Sequence, residues 1–242
     1  MTIKTPRYKK ISIVIPCFNE SKTIDRLISK VRKSDTLGLK KEIIVVDDGS
    51  TDGSDILLRK YIKNKIFKIL FLKNNFGKGY ALKMAFSKTT GDVVVIQDAD
   101  LEYDPVDYVK LIKPILNNMA DVVYGSRFIG GESHRVLYYW HSVFNKLLTC
   151  ISNAFTNINL TDLETGYKVF RGDLIRRVSL KLESDRFGFE PEVTARLSKI
   201  KNIRFYEVGI SYNGRTYKEG KHIGFVDGLL SLFQIIKYNI FR

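Results

Sequence analysis

Short runs rich in β-branched residues alternate with stretches of helical period, and this alternation most restricts what the chain can become. The runs fall at residues 11–16, 42–46, 67–72, 92–96 and 121–125. The fourth is centred on Val93-Val94-Val95-Ile96, apolar at consecutive positions, as expected of a strand covered on both faces. Between the runs, residues 21–33 put Ile24, Leu27, Ile28 and Val31 on one helical face, with Ser21 as the expected cap. Residues 54–62, 77–87 and 105–116 predict further helices, the last with Pro105 at its start. Strands alternating with helices predict an α/β fold, a largely parallel sheet with helices on both faces, in a single domain over residues 1–242.

Polar residues collect where the strands should end. The first run leads into Pro16-Cys17-Phe18-Asn19-Glu20, the second into Asp47-Asp48-Gly49-Ser50, and the fourth into Gln97-Asp98-Ala99-Asp100-Leu101-Glu102. Ligands of open α/β sheets gather at the carboxyl ends of strands. If these strands are neighbours, their ends form one acidic crevice with Phe18 as an apolar wall. Asp98, Asp100 and Glu102 are spaced by two, so an extended segment would point all three the same way. Such a group suits Mg²⁺ or Mn²⁺; a solvated acidic turn is the alternative. Asp47-Asp48-Gly49-Ser50 taken singly reads as a turn with a helix cap, although a carboxylate there can also accept from a nucleobase N–H or a ribose hydroxyl. Gly77-Lys78-Gly79 opens a predicted helix and offers free N–H groups to a phosphate. Tyr80 stands where a Walker loop needs Ser or Thr, and the third glycine of a dinucleotide fingerprint is missing.

Forty Lys and Arg face 26 Asp and Glu, a net charge of +14. That balance suits nucleic acid, phosphorylated ligands or an anionic membrane surface. Cys17 and Cys150 lie far apart without metal-ligand spacing and read as reduced thiols. The first apolar run is short and holds Pro16, so it reads as a strand and not as a signal peptide. No run approaches the ~20 apolar residues that span a bilayer. The second half is less regular. Leu137, Trp140, Phe144, Leu147, Leu148, Ile151 and Phe155 recur at helical spacing, beside Tyr138 and Tyr139. That amphipathic helix packs on the domain or meets a membrane interface or partner. Residues 191–200 predict a helix with Glu190 and Glu192 as partners of its dipole, and residues 204–208 a strand. Residues 224–242 predict a C-terminal amphipathic helix, docked on the core or lying in a membrane surface. His134, His141 and His222 have no metal-ligand spacing.

Taken together, the motifs resemble family 2 glycosyltransferases of the GT-A nucleotide-diphospho-sugar fold, and within them the dolichyl- or polyprenyl-phosphate mannose or glucose synthases. The resemblance rests on Val14-Ile15-Pro16-Cys17-Phe18-Asn19-Glu20, on Val45-Val46-Asp47-Asp48-Gly49-Ser50 and on residues 97–102. Gly125-Ser126-Arg127-Phe128 and Gly214-Arg215-Thr216-Tyr217-Lys218-Glu219-Gly220-Lys221 point to the lipid-phosphate branch. It implies inverting transfer of a hexosyl group, glucose or mannose, from a UDP- or GDP-sugar to a polyprenyl or dolichyl phosphate. It implies that Pro16, Phe18, Glu20, Val46 and Asp48 hold the nucleoside, and that Asp98, Ala99 and Asp100 line the ribose and diphosphate. Asp98, Asp100 and Glu102 would hold Mg²⁺ or Mn²⁺, while Arg127, Arg215 and Lys221 would face the phosphates of donor and acceptor. Asp98, Asp100 and Arg127 then form the catalytic set.

Two departures from the family pattern stand out. Glu102 stands where glutamine or another polar residue is usual. Asp162-Leu163-Glu164-Thr165-Gly166-Tyr167-Lys168 carries lysine where the family has arginine, and Lys168, lacking the two-pronged grip, is left out of the site. A phosphate-monoester acceptor is already an anion near neutral pH, so it needs little help from a general base. The alternative is the same fold working on a glycan acceptor in polysaccharide or cell-envelope synthesis. A nucleotidyltransferase would need a glycine-rich loop with arginine after the first strand. A nucleic-acid binder would leave the carboxylates unexplained, so no nucleic-acid partner is expected. The expected place is cytoplasmic, peripheral at the inner face of the membrane, through direct contact or a membrane partner.

Overall fold

The computed structural model describes residues 8–130, 135–136, 138–186, 188–215 and 225–241, the first three residues of the last segment by backbone alone. The predicted alternation forms: β1 (Lys10–Cys17), α1 (Ile24–Lys33), β2 (Lys40–Asp47), α2 (Ser54–Arg59), β3 (Phe67–Phe71), α3 (Lys78–Phe86) and β4 (Val93–Ile96). A short 3₁₀ turn at Pro105–Asp107 leads into α4 (Tyr108–Leu116), and β5 (Val122–Ser126) follows. The second half holds α5 (Tyr139–Thr156), β6 (Lys168–Arg171), α6 (Gly172–Ser179), α7 (Phe189–Ser198), β7 (Phe205–Gly209) and α8 (Phe225–Ile240).

The strands make one sheet in the order β3-β2-β1-β4-β6-β5-β7. β1 runs parallel to β2 and β4, β2 to β3, and β5 to β7. β6 lies antiparallel to both β4 and β5. The sheet is therefore mixed and mostly parallel, as expected of the GT-A class. β6 and α6 have no counterpart in the sequence reading; for β6, four residues headed by a lysine give no readable period. α1 begins at Ile24 and not at Ser21. The Ser21 N–H donates to Asp52, and the Thr23 hydroxyl donates to the Glu20 carboxylate at 2.6 Å, so residues 21–23 belong to the turn leaving β1.

Strand alternation divides the core. Ile11, Ile13 and Ile15 of β1, Ile43 and Val45 of β2 and Val93 and Val95 of β4 pack with Leu27, Ile28, Leu111 and Ile112 of α1 and α4. Val14, Ile44, Val46, Val94 and Ile96 turn to the opposite face, against Leu82 of α3, Ile175 of α6 and Val193 of α7. Each such side chain, fully buried, contributes about 1.5–3 kcal/mol. The register sets Cys17 beside Asp47 and Val14 beside Ile96, so the polar ends of β1, β2 and β4 lie side by side.

At the opposite end of these strands, the buried Glu42 carboxylate accepts from Lys10 at 2.8 Å, Lys68 at 2.8 Å, the Ser12 hydroxyl at 2.7 Å and the Thr90 N–H at 2.8 Å. Burial alone would raise its pKa. The hydrogen bonds from Lys10, Lys68, Ser12 and Thr90 outweigh burial and hold it at about 2. The folded chain thus holds this proton more weakly than the unfolded chain does. The resulting stability is present above the unfolded value of about 4.3 and is lost as pH falls through about 2. Glu42→Gln should therefore unfold at lower urea than wild type at pH 7, with the deficit shrinking between pH 4 and pH 3. A deficit constant over that range would contradict the assignment.

Candidate active site

A cavity of about 520 Å³ opens where β1, β2 and β4 end. Pro16, Phe18 and Glu20 line it from the loop after β1, Asp48 from the end of β2, and Asp98, Ala99, Asp100 and Glu102 from the segment after β4. Arg127, just beyond β5, and Arg215 complete the set of expected residues that the fold brings together. Phe144 and Leu148 of α5 and Gly228 and Ser231 of α8 form a further wall. Val46 does not join them. It is wholly buried and turned by strand alternation into the α3 side of the core. Lys221 lies outside the described residues.

The three acids after β4 all line the cavity, but not along the extended segment that their spacing assumed. Leu101 sits in the left-handed region at φ 65°, and that turn breaks the extended alternation. Asp98 pairs with Lys78 at 2.9 Å, and the same ammonium meets Glu190 at 3.0 Å. Asp100 takes the Arg215 guanidinium at 2.9 Å and the Glu102 N–H at 3.1 Å. Glu102 accepts from the Tyr212 hydroxyl at 2.7 Å and the Arg215 N–H at 2.8 Å. Arg215 also reaches Glu20 at 3.2 Å. Among the described residues no three His, Cys, Asp or Glu side chains are grouped to hold a metal ion.

Asp98 and Asp100 nevertheless fit a hard cation shared with a diphosphate, since Mg²⁺ commonly takes one or two protein carboxylates plus phosphate oxygens. Burial, then the charges of Glu102 and Asp98, push Asp100 up to about 7 despite Arg215. Part of that shift is the repulsion of neighbouring acids, which a dication would relieve. Glu102, with both oxygens engaged, instead fixes the backbone of Arg215.

Other expected residues are also held by the protein. Arg127 grips the fully buried Asp162 with two prongs, each 2.7 Å, and stacks over Tyr212 at 5.2 Å. Asp48 accepts the N–H groups of Phe76 at 2.9 Å and Gly77 at 2.7 Å, fixing the turn into α3. The glycines around Lys78 have a packing reason. A Cβ at Gly79 would lie 2.2 Å from the Ser184 carbonyl, and one at Gly77 2.5 Å from that of Asp185. They form a seat for residues 184–186. Glu192, buried in α7, holds the same strap by accepting the Glu183 and Ser184 N–H groups at 2.9 and 2.7 Å.

Several lining residues were missed. Glu190 was read as a partner of the α7 dipole, but its carboxylate meets Lys78 in the cavity wall. Glu164, Arg186 and Tyr212 also line the cavity. For Glu164 the available signal was its place inside a family motif; for the others only the fold could supply one.

Residues 12–181 match the model of Glycosyl transferase family 2, and the chain belongs to that family. The chain is 26% identical over 231 residues to a dolichol-phosphate mannosyltransferase of Pyrococcus furiosus, covering 95% of this chain and 64% of that one. It is 24% identical over 230 residues to a dodecaprenyl-phosphate galacturonate synthase of Rhizobium johnstonii, covering 94% and 64%. It therefore spans less than two thirds of the length of these two relatives. With an undecaprenyl-phosphate mannosyltransferase of Micrococcus luteus it shares 26% identity over 231 residues, 90% of each chain. Among solved structures, Mycobacterium tuberculosis glucosyl-3-phosphoglycerate synthase in complex with Mn²⁺, UDP and phosphoglyceric acid superposes with a TM-score of 0.72 at 19% identity, over 97% of this chain and 80% of that one. That likeness is one of fold, the GT-A fold.

Gly79→Ala should lower the stability of the unliganded protein by about 1–3 kcal/mol, read by thermal or urea unfolding, because the new methyl meets backbone. A glycine kept free only for a phosphate would leave that stability unchanged.

Proposed function

We propose that the protein transfers a hexosyl group, glucose or mannose, from a UDP- or GDP-sugar to a polyprenyl or dolichyl phosphate with inversion, using Mg²⁺ or Mn²⁺. The observation that carries this reading is the mixed lining of one cavity. Carboxylates and the cations Lys78, Arg127 and Arg215 line it together with Phe144 and Leu148 of α5. A phosphate attached to an apolar chain matches both kinds of lining. Beside the cavity, α5 and α8 leave Trp140 76% and Phe233 61% exposed, apolar surface suited to the bilayer that would hold such an acceptor. No helix among the described residues is long and apolar enough to cross a membrane. The proposed contact is peripheral, at the cytoplasmic face, or made through a membrane partner. The prenyl-phosphate names of three relatives support the same acceptor class.

In this reading Pro16 and Phe18 wall the nucleobase, and Asp48 takes a base or ribose hydrogen. Asp98 and Asp100 would hold the cation, which as a Lewis acid supplies charge stabilisation for the leaving diphosphate. Arg215, fixed by Glu102, keeps a guanidinium beside Asp100 and the phosphates. Arg127 and Lys221 are the further proposed phosphate contacts. An oxygen of the acceptor phosphate attacks the anomeric carbon opposite the diphosphate. The carbon–oxygen bond to the diphosphate breaks, and its electron pair leaves with that group. The attacking oxygen is already anionic, so no side chain has to remove a proton.

Labelled UDP-glucose or GDP-mannose, incubated with a short prenyl phosphate and Mn²⁺, should put mild-acid-labile label into the organic phase. Label confined to water-soluble glycan would remove the lipid acceptor. Asp100→Ala should abolish transfer, a loss of at least about 10²-fold, with an unchanged circular-dichroism spectrum. Near-wild-type turnover in that folded variant would refute the role given to Asp100.

A further inference from the structure

Glu164 lines the cavity from the loop between α5 and β6, and the protein holds its backbone on both sides. The Leu163 N–H donates to the Thr149 hydroxyl at 3.1 Å, and the Gly166 N–H to the Tyr103 hydroxyl at 2.9 Å. Lys168, wholly buried, donates to the carbonyl of Leu163 at 2.9 Å and to that of Thr165, the two residues flanking Glu164. This lysine, which replaces the family's arginine, therefore clamps the peptide around Glu164. The Glu164 carboxylate is left over: its Oε1 is buried and has no hydrogen-bond partner among the described residues. Glu164 as a residue is only partly buried and lines the cavity, so its carboxylate can meet a ligand's donor there, and the cost of the covered, unpartnered oxygen is recovered if the carboxylate turns to that donor.

The position narrows the ligand. Gly166, two residues on, is so close to Asp98 that a Cβ there would lie 2.0 Å from Asp98 Oδ2. The loop thus rests against a carboxylate that, in the reading above, adjoins the diphosphate. Glu190 is near enough to raise the Glu164 carboxyl, after burial the largest influence on it, while Lys168 and Arg127, each a smaller influence, act to lower it. A third acid in that company does not attract phosphate. A neutral hydroxyl suits it in either state, donating to the ionised carboxylate or accepting from the protonated one. The group joined to the diphosphate that carries hydroxyls there is the hexose.

We propose that Glu164 binds a hydroxyl of the donor's hexose and so helps select which sugar is transferred. The proposal rests on the glycosyl-transfer reading of the site and adds a specificity-determining residue to it. The test is calorimetric binding of UDP, GDP, UDP-glucose, UDP-galactose and GDP-mannose, each with Mn²⁺, to wild type, Glu164→Gln and Glu164→Ala. Both variants should bind the nucleoside diphosphate alone within about twofold of wild type. Glu164→Ala should bind the preferred nucleotide sugar about 10- to 100-fold more weakly, and Glu164→Gln should narrow the preference between epimers. The unfolding midpoint of Glu164→Ala should be no lower than wild type, since it removes an unpaired buried oxygen, and that of Glu164→Gln about equal to wild type, since it keeps a polar atom there. A destabilised variant would show a structural acid and overturn the proposal. So would unchanged affinity for the sugar donor, or equal loss for UDP and UDP-glucose. Wild type that binds no nucleotide sugar would overturn the glycosyl-transfer reading as well.

Discussion

Carboxylates crowded at the ends of parallel strands repel one another, and this chain answers that repulsion with its own cations. Lys78 stands between Asp98 and Glu190, and Arg215 among Glu20, Asp100 and Glu102. These residues come from different parts of the chain, so each ion pair also fastens one segment of the cavity wall to another. Lys78 ties the start of α3 to the segment after β4 and to α7. Arg215 ties the segment after β7 to the loops after β1 and β4. The shape of the cavity depends on this balance of charge, because acids left uncompensated in a partly buried site would take up protons or swing apart.

The same balance decides what the site suits. Even with Arg215 in place, Asp100 is pushed up to about 7, so the cluster retains room for more positive charge. A nucleoside diphosphate bound with a divalent cation brings charges of both signs, which fits a surface where acids and bases already interleave. Arg127 has a different standing. Its two-pronged bond to the buried Asp162 makes it part of the wall, and removing either partner leaves a buried charge alone. The cavity thus has walls made largely of ion pairs, with Glu164 Oε1 and Arg215 Nε left without a hydrogen-bond partner among the described residues.

Much of the fold was legible because apolar periodicity is a local property. The runs that became β1, β2 and β4 could be read from consecutive β-branched residues, and α1 from Ile24, Leu27, Ile28 and Val31. The expectation failed where neighbours in space decide. β6 is four residues long and antiparallel between two strands that the sequence cannot know to be its partners. Leu101 adopts a left-handed turn that no β-propensity announces, and it breaks the extended run of the segment that carries the acids. The glycines flanking Lys78 looked like a phosphate loop because the strap they seat lies about a hundred residues away.

The sequence by itself determined the α/β class, the family, and which residues gather at the strand ends, since those follow from local pattern and short motifs. Tertiary structure alone decided how the gathered charges are shared: Lys78 with Asp98 and Glu190, Arg127 with Asp162, Arg215 with Asp100, and Lys168 with the carbonyls around Glu164. The reason is physical. Which residues carry charge is written in the chain, but pairing energy depends on distance and burial, and both exist only once distant segments have packed together.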